Sequence, residues 1–471
     1  MNKVPPPPLQ KKYVSTLPDF KRGELVKKTT SICPGCLQYI EAEVFRRNRQ
    51  IWMDKTCQKC GPFSALLSSD ANEYLIKVPD SQQASSCGCG SGGCGSAIDN
   101  HSCVLLVEIT QKCNLTCPTC YASSSPQNDH FLSLKEYDAL LDKLLANQHG
   151  DADALQLSGG EPTIHPDILP MIELAYEKGF KQVYINTNGI KLSNDTFAKS
   201  LAKLGKPLSI YLQFDGTTPD VYAKLRGNEK LVEVKARALE NCAKHGFEAI
   251  PVMTLTRGVN DNQISEFIRV ASQSPAVNKA MIQPAMYSGR YVNPRRVDRI
   301  TASDTIGLIA EQSGIFSRAD FTPIPCGDPN CFRMALALRS DDGLIPVSRF
   351  FPPYEKWASP EISEGISAVS DTFDDPDALQ RALALASESE ALAQLPEEEL
   401  DQLIDLISGS ENSENENSWG RLFAIGIKPF MDAYTYDQDR IDTCCTHITA
   451  RDGTPVSFCQ YNALNRPQGN L

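Results

Sequence analysis

The sequence predicts an α/β protein: a partial (β/α)6 TIM-like barrel, preceded by a zinc-ribbon-like module and followed by a cysteine-bearing C-terminal extension. Three observations carry this. Between residues 104 and 285, short apolar runs rich in β-branched residues alternate six times with stretches of helical period, the rhythm of parallel strands joined by crossover helices. Two CxxC knuckles, Cys33–Cys36 and Cys57–Cys60, stand 20 residues apart near the N-terminus. Sixteen of the 17 cysteines fall in groups, Cys242 standing alone. With no signal peptide and no apolar run approaching the roughly 18 residues of a membrane span, the expected setting is a reducing cytoplasm, where such thiols hold metal instead of pairing.

Taken in order, residues 1–30 open with a proline run, Pro5 to Pro8, and read as an extended arm. Residues 31–80 form the ribbon: EAEVFRRNR and IWMDKT pair as a hairpin between the knuckles, and four thiolates at this spacing suit one tetrahedral Zn or Fe ion that holds a module too small for much core. Residues 81–103 are a Gly/Ser-rich run carrying Cys87, Cys89, Cys94 and Cys103, either a flexible linker with incidental thiols or the wrapping of an inorganic cluster.

The core spans residues 104–290. Its strands are Val104 to Thr110, 154–158, 181–187, 208–214, 248–256 and 279–285. The helices between begin with a capping box, Ser133 to Glu136. One starts at Pro166 and stops at Gly179; another is capped by Ser193 and ends at Gly205. A single long helix runs to His245, and a further one lies around 261–272. In a parallel barrel the site lies at the strand C-termini. There the first strand delivers Cys113, Cys117 and Cys120, and the second Ser158-Gly159-Gly160-Glu161-Pro162. Asn186 to Gly189 end the third strand, Gln213 and Asp215 the fourth, and Gln283 the sixth. Three thiolates on one loop hold three irons of a four-iron cluster and leave the fourth open, although a structural zinc loop has the same ingredients. Two glycines admit close backbone approach to a ligand, and Glu161 can receive an ammonium.

Residues 291–357 and 419–471 form the extension. Cys326 and Cys331, with Cys459 and one of the adjacent Cys444 and Cys445, make a further four-thiolate site, or these are unrelated buried thiols. Between them, residues 358–418 read as an acidic helical insertion. From Glu361 to Glu416 sixteen acidic residues face one basic residue, Arg381, so this stretch carries −15 against a net charge of −12 and leaves the rest about +3. No basic patch points to nucleic acid.

The C-x3-C-x2-C triad followed by SGGEP resembles the radical S-adenosylmethionine (radical SAM) superfamily. The whole cysteine order, with PCxxxxC, FMDAY, CCTH and FCQYN late in the chain, is similar to its subgroup of tetraether lipid synthases and hydroxymethylpterin dimethyltransferases. The resemblance implies a [4Fe-4S] cluster on Cys113, Cys117 and Cys120 that binds S-adenosylmethionine (SAM), two auxiliary [4Fe-4S] clusters, and one mononuclear rubredoxin-like metal. It implies that SGGEP receives the methionyl amine and that Tyr121, Asn188, Gln213 and Asp215 attend the cofactor; Thr119 departs from the aromatic residue often found before the third cysteine. It further implies reductive cleavage of SAM to a 5′-deoxyadenosyl radical and hydrogen abstraction from an unactivated carbon, leading to C–C bond formation or methylation of a lipid alkyl chain or a pterin-like substrate. The one-electron donor would be a flavodoxin or ferredoxin, and a lipid substrate would bring the protein to a membrane surface. The competing class is a non-enzymatic multi-cluster electron carrier or redox sensor, for which a methionine-amine site has no use.

Overall fold

The computed structural model describes residues 23–76, 102–148, 154–291, 299–323, 327–340, 343–350 and 422–466. The acidic insertion, most of the Gly/Ser/Cys run, and Cys87, Cys89, Cys94 and Cys326 lie outside them.

The N-terminal module is a four-stranded antiparallel sheet in sequential order: β1 (Glu24–Ile32), β2 (Tyr39–Arg47), β3 (Gln50–Cys57) and β4 (Gly61–Ser68), with the short helix α1 (Ala71–Tyr74) after it. The expected hairpin is β2–β3. The arm expected over 1–30 ends early, because residues 24–32 are a strand rather than free chain. ELVKKTTSI has the period-2 pattern of a half-buried strand, and its polar inner residues dock elsewhere. Lys27 pairs with Asp437 at 2.8 Å, the Thr29 hydroxyl donates to Asp437 at 2.7 Å, and the Ser31 hydroxyl to the Tyr436 carbonyl at 2.5 Å.

The barrel follows: β5 (Val104–Thr110), α2 (Leu134–Asn147), β6 (Ala154–Gly159), α3 (Ile168–Glu177), β7 (Gln182–Thr187), α4 (Asp195–Ala202), β8 (Leu208–Gln213), α5 (Pro219–Arg226), α6 (Leu231–His245), β9 (Glu248–Leu255), α7 (Ile264–Gln273) and β10 (Lys279–Pro284). The six strands are parallel and lie side by side in chain order. The capping box on α2 forms as expected. Two local expectations are corrected. Asn194, not Ser193, caps α4, since its Oδ1 accepts from Thr196 and Phe197 amides. The single long helix is two, because Gly227 takes a left-handed conformation (φ 73°) that ends α5.

The extension adds α8 (Ala302–Ser313), β11 (Thr322–Pro323), β12 (Arg333–Ser340), β13 (Gly343–Pro346), β14 (Leu422–Ile427), α9 (Gln438–Asp442), β15 (Thr446–Thr449), β16 (Pro455–Ser457) and α10 (Phe458–Leu464). It lengthens the barrel on both edges, which the six-strand reading did not include. β14 runs parallel to β10, and β15 parallel to β5, with Thr446 opposite Val104. β14 is LFAIGI, buried at every position, so burying its Leu, Phe and Ile side chains offsets the cost of bringing in a remote strand. Across the remaining seam Phe430 and Phe458 stack with ring centroids 4.5 Å apart, and Lys428 donates to the Thr446 hydroxyl at 2.8 Å.

Alternation sorts the strand residues. Leu105, Val107, Ile109, Leu155, Leu157, Val183, Ile185, Ile210 and Leu212 face the helices and form the main core with Tyr137, Leu141, Met171, Ile172 and Phe267. The opposite set, including Leu106, Gln156, Tyr184, Tyr211, Val252 and Met281, faces a cavity of about 380 Å³ inside the barrel. No helix among the described residues is long and apolar enough to cross a membrane.

Candidate functional site

The triad sits on the loop that leaves β5, and all three of its thiols line the cavity. The loop is held by its own backbone and by one arginine that sequence reading overlooked. Cys113 N–H donates to Ser125 O at 3.1 Å. The Arg290 guanidinium grips the carbonyls of Cys117 (2.7 Å), Ser123 (3.1 Å) and Ser124 (2.8 Å), and Arg290 N–H donates to Cys120 O at 2.9 Å. Thr119 has a local role, its hydroxyl donating to Leu225 O at 3.1 Å from a buried position. Tyr121 lies in the cavity wall edge-on to Phe458, 5.7 Å between centroids, with the Arg466 guanidinium over its ring. Burial pushes the Cys113 thiol up to about 12, the Glu161 charge adding to it, and burial also raises Cys117. Metal binding here would therefore release protons.

SGGEP clasps this loop from β6. Gly160 N–H donates to Thr110 O at 2.8 Å and Glu161 N–H to Lys112 O at 2.9 Å. A Cβ at Gly159 would collide with the Thr110 carbonyl and one at Gly160 with that of Lys112, so only glycine lets the two backbones run this close. Glu161 is buried and accepts four hydrogen bonds. Its Oε1 accepts from Thr163 N (3.1 Å), Thr163 Oγ1 (2.5 Å) and Thr187 Oγ1 (2.7 Å), and its Oε2 from Asn188 N (2.7 Å). Three of these donors crowd Oε1 and one reaches Oε2, so Glu161 ties the β6 and β7 loops together. Asn188 reaches back to the triad loop, its Nδ2 donating to Asn114 Oδ1 at 2.7 Å, and Ser158 accepts from Asn186 at 3.3 Å.

Of the two residues expected from β8, Gln213 lines the cavity and Asp215 does not. Asp215 is fully buried behind it and grips Arg226 bidentately, at 2.6 Å to Nε and 2.8 Å to Nη2, while accepting from Thr254 N at 3.0 Å. Arg226 presents the charge to the site. It lines the cavity, donates to Thr254 Oγ1 at 2.9 Å and lies close enough to act electrostatically on the Cys117 thiol. An Arg-Gly pair at a helix end reads in sequence as an ordinary cap, which hid this role. Behind Gln213, buried Lys235 donates to Gln213 Oε1 at 2.7 Å and to the Asn188 carbonyl. Burial pulls its ammonium down to about 7 despite the Asp215 charge.

The cysteine groups differ in kind. Cys33, Cys36, Cys57 and Cys60 bring their sulfurs within 4.8 Å of one another, which fits a single tetrahedral ion. The three triad cysteines instead line one cavity. In the extension, Cys331, Cys444 and Cys459 lie close enough to feel one another's charge. Arg440 donates to the Cys331 sulfur at 3.4 Å, and Met431 N–H to that of Cys459 at 3.3 Å. Beside Cys444, the Cys445 carbonyl accepts from Cys103 N–H at 2.9 Å. Cys242 is buried in the core.

Comparison with known proteins agrees with this arrangement. The radical SAM superfamily matches residues 107–271, and the HMPTM N-terminal zinc ribbon domain matches residues 25–69. The 7,8-dihydro-6-hydroxymethylpterin dimethyltransferase of Methanocaldococcus jannaschii is 30% identical over 94% of this chain and 94% of its own length. Mycofactocin maturase MftC of Mycobacterium tuberculosis is 28% identical over 36% of this chain and 41% of its own, and a probable GTP 3′,8-cyclase of Methanothermobacter marburgensis 28% over 38% and 58%. These two share a shorter stretch, whereas the pterin dimethyltransferase aligns from ribbon to extension. The chain is therefore an enzyme of the radical SAM superfamily, of the transferase type, with a four-cysteine zinc ribbon at its N-terminus.

Proposed function

We propose that the protein binds SAM at the triad and SGGEP end of the barrel cavity and methylates, or joins carbon to, a compact pterin-like heterocycle held in the same cavity. Cys113, Cys117 and Cys120 would hold a [4Fe-4S] cluster. That group, when bound with SAM, supplies the 5′-deoxyadenosyl radical that takes hydrogen from carbon. The chain's own residues do the rest. The Gly159–Gly160 backbone and Gln213 offer polar groups to the methionyl part, Arg226 offers a fixed cation, and Glu161 and Lys235 keep the loops in register. The seam residues Phe430 and Phe458 keep water from the reacting carbon.

The observation that carries this reading is the character of the cavity. Gln156, Gln283, Tyr184 and Tyr211 project into it between apolar surfaces from Leu106, Ile250, Val252 and Met281. Tyr211 and Gln283 are joined by a 3.0 Å hydrogen bond. Flat aromatic side chains and amides suit a planar heterocycle with its own amide and amine edge. Full-length similarity to a pterin dimethyltransferase supports the same substrate class. Cys331, Cys444 and Cys459, and separately Cys103 with Cys445, are the described candidates for auxiliary cluster ligands. The test is anaerobic reconstitution with iron, sulfide, a one-electron reductant, SAM and 6-hydroxymethyl-7,8-dihydropterin, with products identified by mass spectrometry. Methylated pterin supports the proposal; SAM cleavage with the pterin unchanged removes pterins as the substrate class.

A further inference from the structure

We infer that Asp432, in the FMDAY stretch that follows β14, is a positioning residue for the triad loop. It fixes the strap of residues 286–290, and the strap clamps the loop. The strap leaves β10 and runs directly against the triad. At Gly289, left-handed at φ 58°, a Cβ would stand 2.1 Å from the Tyr121 carbonyl, so only glycine lets the two backbones meet there. Arg290 then closes on the loop with main chain and side chain together. Cys120 O accepts from its N–H, and the carbonyls of Cys117, Ser123 and Ser124 accept from its guanidinium. The guanidinium fork is rigid, so its grip is only as well placed as the backbone that carries it.

That backbone is held by the extension. Asp432 is fully buried; its Oδ2 accepts from Tyr287 N–H at 3.0 Å, and its Oδ1 from Tyr434 N–H at 2.9 Å. Arg299 Nη2 bridges both oxygens at 3.0 and 2.8 Å, and its guanidinium lies over the Tyr287 ring, 4.6 Å from the centroid. One residue further along the strap, the buried Ser288 hydroxyl donates to Asn462 O at 2.9 Å. A buried carboxylate is a strict tie, because a side chain that accepts less leaves an N–H and a guanidinium unpaired out of water. The same turn faces the ribbon. The Tyr434 ring stands edge-on to Tyr287 and to Phe63, with centroids 6.4 and 6.5 Å away, and Lys55 donates to Ala433 O at 2.7 Å. Contacts therefore run without a break from the ribbon through Asp432 to the triad loop. Such contiguity amounts to coupling when a change at one end is felt at the other.

The experiment is amide hydrogen exchange, read by mass spectrometry on anaerobic, iron-loaded, unreduced protein, with calorimetric titration of SAM beside it. Asp432→Asn keeps the side chain's size and removes one acceptor oxygen. It should speed exchange roughly tenfold at residues 113–125 as well as at 287–290, and weaken SAM binding by a similar factor with iron content retained. Asp432→Glu, which keeps the charge for Arg299 and moves the carboxylate by one methylene, should give the same pattern more weakly. Arg290→Met acts at the partly exposed far end of the strap, where the fold is least at risk. It should speed exchange at 113–125 and leave 432–435 unchanged, which reads the clamp even where Asp432→Asn fails to fold. Faster exchange at 287–290 with 113–125 unchanged in either Asp432 variant would overturn the inference, as would a triad loop indifferent to Arg290→Met. The SAM titration rests on the proposed function. If the unsubstituted protein binds no SAM, that reading fails, and the exchange pattern still decides whether Asp432 positions the loop.

Discussion

At the scale of single residues the site is built from charges that depend on one another. Asp215 holds Arg226 by two hydrogen bonds out of water, and Arg226 in turn faces Cys117. Breaking one side of a buried pair strands the other. Asp215→Asn should therefore destabilise the protein by about 3–5 kcal/mol, measured by denaturant unfolding, and should weaken SAM binding, although Asp215 does not line the cavity. An unchanged SAM affinity would show that Arg226 needs no such anchor. Lys55 and Lys235 give the molecule a pH signature. Burial lowers both ammonium groups to about 7 in the fold, against about 10.5 when unfolded. From pH 7 to about 10 the unfolded chain holds more protons, so stability rises with pH; below 7 both states are protonated and the cost is fully present. Each lysine contributes up to roughly 1.4 kcal/mol per pH unit in that window. Lys235→Met should flatten the rise in denaturation midpoint between pH 7 and 9, and a slope unchanged by the substitution would refute the assignment.

At the scale of elements, the ribbon and the barrel are joined by the segment after β14. Lys27, Thr29, Ser31 and Lys55 on β1 and β3 bind Asp437, Tyr436 and Ala433, and Asp432 in that segment pairs with Arg299 at 2.8 Å. The same segment lies between Lys428 and Arg440, which meet the cavity and the Cys331 thiol. The ribbon ion therefore has a task beyond its own fold. Cys57→Ser should lose one bound metal per chain and raise amide hydrogen exchange in β2 and β3, and the loss of protection should spread to residues 431–437. Exchange confined to the ribbon would show the two parts to be independent. This scale also marks what could be read from sequence. Triad, SGGEP and six strands are local signals: spacing within a loop, and period 2 along a run. Arg226 and Arg290 were not legible, because their meaning arises only when they meet the triad loop more than 100 positions away, and neither was the seam, which forms only once β14 and β15 dock on β10 and β5. Asp215 was placed at the right strand end, but whether it or its partner meets the cavity depends on packing that no local pattern records. Ser193 and Asn194 are equally good caps in sequence, and the backbone turn chose between them.

Over the whole molecule, one barrel with a hollow interior joins three kinds of thiol site. The triad opens into the cavity, and the extension that carries Cys331, Cys444 and Cys459 also holds the ribbon. The common interior explains why the extension must return to the barrel edges: without β14 and β15 the cavity would lack Lys428, Phe430, Thr446 and Phe458, and would be open along its side. The central claim is that the triad end of this cavity cleaves SAM to a radical used on a substrate deeper in the barrel. The direct measurement is 5′-deoxyadenosine released per chain by anaerobically reconstituted, reduced enzyme, beside a Cys117→Ala variant. Intact enzyme should release 5′-deoxyadenosine and the variant none above background, with ribbon metal retained in both. Full iron occupancy with no 5′-deoxyadenosine from the intact enzyme would contradict it.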